Sequence, residues 1–197
     1  LSYGGQRLKK FDQAGSYFFP NGEPLEAGEI LKNPQFADTL RQISGPDNES
    51  IYEGQIAEDL VNAVRSAAIN PGLLTLTDLA KYRVVERDPV CVSYREHRIC
   101  GMGPPSSGGI TVGQILGILQ PFNLRLLGLE NPLTWHLFSE AGKLAYADRN
   151  MYLADGDFID VPVRGLISEK YLSSRSAMID LERGLQTPVE AGNPDGI

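Results

Sequence analysis

The segment Gly103-Pro104-Pro105-Ser106-Ser107-Gly108-Gly109 gathers the residues of this sequence most able to do chemistry. Three chemistries compete for it. A phosphate loop needs Lys and then Ser or Thr after its second glycine, to hold phosphate and metal. Gly109 and Ile110 stand there instead, so that chemistry has no carriers. A nucleophile elbow needs the G-x-S-x-G frame, and Pro105 occupies the first position before Ser107. The triad order fails too, because His136 is the sole histidine after Ser107 and no Asp lies between them. What remains is a capping turn. Ser106 or Ser107 closes a helix N-terminus, and the glycines permit tight backbone bends.

The two cysteines form a second constellation. If Arg95-Glu96 is a two-residue hairpin loop, Tyr94 pairs with His97, Ser93 with Arg98, Val92 with Ile99 and Cys91 with Cys100. Counting outward from the turn, Cys91 and Cys100 fall at a non-hydrogen-bonded pair, where opposed Cα atoms lie about 4.5 Å apart. That is the short end of what a disulfide accepts. Two readings stay open: a cross-strand bridge in an oxidising compartment, or two free thiols facing a core. Zinc is disfavoured, since neither of the two histidines stands at ligand spacing from the cysteines. Asp155-Gly156-Asp157 lacks the rest of a calcium loop. Asp148 and Arg149 read as residues that tie a helix to its surroundings through ion pairs and caps. His97 reads as a solvated turn residue, and His136 beside Trp135 as a packed helix residue.

The elements that must position these residues follow from periodicity and caps. Asn33-Pro34 predicts a helix start, with Phe36, Leu40 and Ile43 on one face. Gly45-Pro46-Asp47-Asn48 reads as a loop. Ile51 to Ala68 reads as a helix with Ile56, Leu60, Val61 and Val64 on one face, stopped by Asn70-Pro71-Gly72. Thr75 and Asp78 make a capping-box pair before a short helix through Tyr82. An extended stretch from Arg83 to Tyr94 and a strand from His97 to Met102 make the hairpin. A helix from about Ile110 to Leu119 follows the serine turn, with Gly109, Gly113 and Gly117 on one face. Each glycine there costs on the order of 1 kcal/mol of helix propensity, so that face is expected to pack closely. Asn131-Pro132 opens a long helix to about Leu153, and Ser168 caps a last one reaching Leu181.

Composition bounds the class. Of 197 residues, 18 are Lys or Arg and 25 are Asp or Glu, a net charge of −7. That balance argues against nucleic acid, whose binding needs cations to displace counterions. Hydrophobic residues at 42% exclude compositional disorder. The longest weakly polar run, Gly108 to Leu119, is too short to span a bilayer. No secretory signal is visible. The chain opens on Leu1, not Met, and ends in the loop-like Ala191 to Ile197, so we expect a fragment or a processed subunit.

Taken as a series, these motifs resemble the γ-glutamyltranspeptidase (glutathione hydrolase) family, in the later part of its large subunit. The resemblance runs over roughly residues 15–180. It rests on Asn21 to Leu31, Ile51 to Ala57, Leu74-Thr75 with Asp78 to Tyr82, and Arg87 to Val90. The strongest pieces are Pro104 to Gly109 with Gln114-Ile115-Leu116, and Tyr146 to Arg149 with Tyr152 to Asp155. The glycine face and the Arg95-Glu96 turn are departures that touch packing, not chemistry.

The resemblance implies a fold: an α/β (α+β) fragment, helix-rich with one β-hairpin, of the N-terminal-nucleophile hydrolase αββα sandwich. Residues 1–197 are expected to form a single domain. It further implies an enzyme made by a self-cleaving precursor. The small subunit's N-terminal Thr attacks the γ-glutamyl amide, with its own amine as base. No residue of this chain is then catalytic, and the chain alone is expected to be inactive. Ser106 and Ser107 are the candidate substrate-binding residues, although the family's substrate-contacting di-serine motif belongs to the small subunit. The implied partners are that subunit and γ-glutamyl small molecules such as glutathione, with no cofactor, nucleic acid or membrane span. A periplasmic or extracellular location is implied as well. Cephalosporin acylases and poly-γ-glutamate-cleaving enzymes share these motifs. From outside the family, a stand-alone anion-binding module and a serine hydrolase using Ser107 are the rival readings.

Overall fold

The computed structural model of the protein describes residues 5–45 and 51–196. The 46–48 loop expected above lies outside them. The chain divides after Val84 into two compact units.

The first unit holds α1 (Gly5–Leu8), α2 (Asp12–Phe18), α3 (Pro34–Ile43), α4 (Gln55–Arg65) and α5 (Leu76–Lys81). Caps set its helix starts. The Asn33 side chain accepts the Phe36 N–H at 2.8 Å, with Pro34 in the first turn. Thr75 Oγ1 accepts the Asp78 N–H at 3.2 Å, and Asp78 accepts the Thr75 N–H at 2.9 Å, a complete capping box. Helix α4 is shorter than the expected 51–68. Gly54, at φ +79°, turns the chain into it, and the Ser66 N–H bond to Asn62 O closes its end. Ala57 and Val61 are its buried residues, while Leu60 is exposed. Helix α3 carries the expected apolar face, and Phe36 and Leu40 on it are about half exposed in this chain. Periodicity marks that face as apolar, but no residue of α3 is buried.

The second unit holds β1 (Val90–Tyr94), β2 (His97–Gly101), α6 (Gly108–Leu119), α7 (Leu124–Leu127), α8 (Pro132–Tyr152), α9 (Val163–Leu166) and α10 (Glu169–Ser176). The strand is shorter than the expected extended stretch from Arg83. β1 and β2 pair antiparallel in the register Val90↔Gly101, Cys91↔Cys100, Val92↔Ile99, Ser93↔Arg98 and Tyr94↔His97. Arg95 enters the left-handed region at φ +55° to make the two-residue turn. Cys91 and Cys100 are joined as a disulfide across a Cα separation of 4.1 Å.

The core lies between α6, α8 and α10. Helix α8 buries Thr134, Leu137, Glu140, Ala141, Leu144, Ala145 and Asp148, a continuous three-and-four stripe. Leu137, Ala141 and Leu144 of that stripe meet Ile118 and Leu119 of α6, Leu172 of α10 and Ile179. A second cluster joins Ile110, Leu166 and Tyr171. Each fully buried large aliphatic contributes about 1.5–3 kcal/mol, so this three-helix contact holds the unit together. Helix α10 ends at Ser176, short of Leu181. The Met178 and Ile179 N–H groups bond to Arg175 O and Ser176 O, and this tighter turn brings Ile179 into the core.

Candidate functional site

The serine turn joins β2 to α6. The Gly109 N–H donates to Met102 O at 3.0 Å and the Ser106 N–H to Gly103 O at 2.9 Å. A Cβ on Gly109 would lie 2.6 Å from Met102 O and 2.8 Å from the Gly101 backbone, so no side chain fits where helix and strand meet. Farther along the same face, a Cβ on Gly113 would lie 2.8 Å from Val92 Cγ1, and one on Gly117 would run into Leu172. The glycine face is a packing face.

Capping falls to the first serine. Ser106 Oγ accepts the Gly108 N–H at 3.3 Å, whereas Ser107 stands at the N-cap position with no side-chain cap bond. Ser106 is exposed and Ser107 half-buried. Among the described residues, neither hydroxyl bonds to a histidine or a carboxylate. His136 instead binds Asp180 O through Nε2 at 2.8 Å. Among the described residues the geometry supplies no base to activate Ser107.

The densest polar arrangement is a carboxylate knot under α6. Asp148 Oδ1 accepts from Arg175 Nη2 at 3.1 Å and from the Gly192 N–H at 2.9 Å. Its Oδ2 accepts from Gln114 Nε2 at 2.9 Å and from the Tyr171 hydroxyl at 2.8 Å. Asp148, Gln114 and Arg175 are all buried. Burial first, and then the bond to Asp148, push the Tyr171 hydroxyl well above the usual phenol range. Tyr171 therefore stays a protonated donor at neutral pH. With both carboxylate oxygens doubly bonded to donors, the knot fixes α6, α8, α10 and the 190–192 segment; it has no free oxygen to react. Arg149, by contrast, reaches the neighbouring Asn150 and no other side chain among the described residues.

The sequence marked Asp148 but missed its partners. Gln114 was the available signal: one amide inside the apolar run of α6 must find a partner when buried. Two concavities flank these parts. A cleft of about 330 Å³ lies beside Gly103 and Pro104, where Arg87 pairs with Asp157 at 2.7 Å. A groove of about 510 Å³ runs between β1, the end of α6 and α10.

The family model for γ-glutamyltranspeptidase matches residues 2–195. The chain belongs to the γ-glutamyltranspeptidase family. It is 37% identical over 182 residues to the glutathione hydrolase proenzyme of Escherichia coli, covering 92% of this chain and 31% of that protein. It is also 37% identical over 164 residues to the acylase ACY 1 proenzyme of Pseudomonas sp. strain SE83, covering 83% and 29%. Among solved structures, the γ-glutamyltranspeptidase of Helicobacter pylori superposes with a TM-score of 0.79 at 33% identity, over 97% of this chain and 54% of that one. The cephalosporin acylase of Bacillus halodurans gives 0.73 at 28%, over 89% and 33%.

The fold is thus a helix-rich part of the N-terminal-nucleophile hydrolase architecture with one hairpin. The chain spans about a third of the length of the curated relatives it matches. The γ-glutamyltranspeptidase family is a two-subunit one. Among the described residues, no helix is long and apolar enough to cross a membrane.

Proposed function

We propose that this chain is the later part of the large subunit of a γ-glutamyltranspeptidase that hydrolyses or transfers γ-glutamyl groups, glutathione being the expected donor. In this reading its own residues build and do not react. The nucleophile is the N-terminal Thr hydroxyl of the small subunit, which attacks the γ-carbonyl while the Thr amine takes the proton. The amine of the donor leaves, an ester to Thr remains, and water or an acceptor amine releases the γ-glutamyl group.

The carrying observation is the match from residue 2 to residue 195 to one family. The doubly satisfied Asp148 carboxylate and the unassisted Ser107 hydroxyl support a structural role for the chain. The glutathione hydrolase reading is favoured because that match extends over 92% of the chain, against 83% for the acylase. Ser106 serves this activity by capping the start of α6, while Ser107 stands at the N-cap position without a side-chain bond. A periplasmic or extracellular location belongs to the same proposal, supported by the disulfide.

The test is glutathione and γ-glutamyl anilide turnover by the complete two-subunit protein and by this chain alone. We expect turnover by the first and none by the second. Turnover by the chain alone overturns the assignment of the nucleophile. A complete protein that deacylates cephalosporin side chains and spares glutathione overturns the substrate.

A further inference from the structure

We infer that the segment from Val189 to Asp195 is a strap whose docking positions the precursor for its own cleavage, with Tyr152, Asp148, Arg175 and Gly165 as the positioning residues. This rests on the two-subunit reading above, in which the cut falls C-terminal to the strap.

The strap has no regular structure of its own. Residues 189–195 lie in no helix or strand, and among the described residues their backbone makes no bond to another backbone group. Fixing such a stretch costs about 1–2 kcal/mol of backbone entropy per residue, so outside contacts must hold it. They recur along its length. Val189 packs on the core between α6, α8 and α10. Arg175 Nη2 donates to Glu190 O at 3.0 Å. The Gly192 N–H donates to Asp148 Oδ1 at 2.9 Å, and the Tyr152 hydroxyl donates to Gly192 O at 2.6 Å. Pro194 is buried.

Two glycines bring backbone against its neighbours. A Cβ on Gly192 would run into the Tyr171 hydroxyl of α10, and one on Gly165 of α9 would run into the Asp195 carbonyl. The strap is therefore held at both ends. Holding the helices to one another does not require this. Gln114, Tyr171 and Leu144 O already tie α6, α8 and α10 together through Asp148 and Arg175. The bonds to Glu190 and Gly192 are additional, and what they fix is the path of the chain.

That path matters because the cleavage is intramolecular. The relatives from Escherichia coli and Pseudomonas are proenzymes. In a precursor of this kind the Thr hydroxyl oxygen attacks the carbonyl carbon of the residue before it. The C–O bond forms, the C–N bond breaks, and the hydroxyl proton passes to the nitrogen that becomes the Thr amine. Water then hydrolyses the ester, leaving a carboxyl group on the large subunit and restoring the Thr hydroxyl. The rate depends on how the hydroxyl and carbonyl are held, and a misplacement of about 1 Å costs about 10²-fold. A fixed strap gives the chain a fixed origin from which to reach that junction.

The test follows the complete precursor, made by cell-free synthesis, and reads its first-order cleavage on a denaturing gel well below the unfolding temperature. Tyr152→Phe keeps the ring and removes the bond to Gly192 O; cleavage should slow at least ~10-fold. Gly165→Ala presses on the strap at Asp195 and should slow it by at least ~10-fold as well. Gly142→Ala, whose Cβ meets nothing within 4 Å, should cleave at the parent rate. Once cleaved, the Tyr152→Phe protein should turn over glutathione at the parent rate per cleaved molecule, since the strap acts before the cut. Parent-rate cleavage by Tyr152→Phe overturns the proposal, whether or not Gly165→Ala folds. Slow cleavage with an equal loss of turnover per cleaved molecule overturns it in favour of a general weakening of the fold. A parent precursor that stays whole overturns the two-subunit reading and the strap with it. A parent that cleaves, with the variants slowed as expected, but spares glutathione overturns the substrate and leaves the strap standing.

Discussion

Arg175 reaches Asp148 at 3.1 Å in the interior of the second unit, with its guanidinium and the carboxylate both almost wholly enclosed. The same Nη2 group also donates to Leu144 O at 3.2 Å and Glu190 O at 3.0 Å. Removing one partner of such a pair leaves a buried charge without its counterpart, at about 3–5 kcal/mol. Asp148→Ala and Arg175→Ala should each lower unfolding stability by that much. The double variant should fall well short of the sum, because the second change removes the orphaned charge. Denaturant unfolding of the three variants measures this, and simple additivity would show that the two groups act separately.

Two glycines of similar sequence context should respond in opposite directions. Gly113→Ala puts a methyl 2.8 Å from Val92 Cγ1, so β1 or α6 must shift. Overpacking of that kind costs about 1–3 kcal/mol. Gly142, inside α8, has nothing within 4 Å of a new Cβ. Gly142→Ala should therefore stabilise by about 0.5–1 kcal/mol through helix propensity. Thermal unfolding of the pair gives the comparison, and a shift of the same sign in both would contradict the packing face.

The contrast shows what was legible without coordinates. Local signals transferred well: the Asn33 cap, the Thr75–Asp78 box and the hairpin register are decided within a few residues. The close packing of Gly109, Gly113 and Gly117 was legible as well, because three glycines on one helical face need a compensating contact. The partners of Asp148 were not. Gln114 lies 34 positions away and Arg175 lies 27 away, in different helices. No short-range period connects them. The stripe of Phe36 and Leu40 marks the limit from the other side: periodicity identifies an apolar face and leaves open what covers it.

Acid should loosen the α8 contact with the segment after α10. Burial raises the Glu140 pKa, but Lys143 at 2.6 Å and the Leu185 N–H at 2.7 Å outweigh it, so the carboxyl stays below its ordinary 4.5. A depressed folded-state value means stabilisation that is complete above the unfolded value and lost as pH falls through the folded one. Stability should drop as pH is taken below about 4.5. Glu140→Gln should flatten that part of the profile and lower the plateau above it. A variant with an unchanged acid slope would remove Glu140 from the account.

The Cys91–Cys100 bridge closes a short loop, with a sequence separation of 9. Loop-closure entropy for a ring of that size is worth about 2–3 kcal/mol at room temperature. Because β1 and β2 lie against the glycine face of α6, loosening the hairpin also withdraws Val92 from Gly113 and Gly101 from Gly109. Reductant should therefore lower the unfolding temperature of the protein. The Cys91→Ser, Cys100→Ser double variant should begin at that lower temperature and ignore reductant. Thiol titration of the protein purified without reductant checks the premise directly: two free thiols before unfolding would show that the bridge does not form, and the reductant effect would vanish with it.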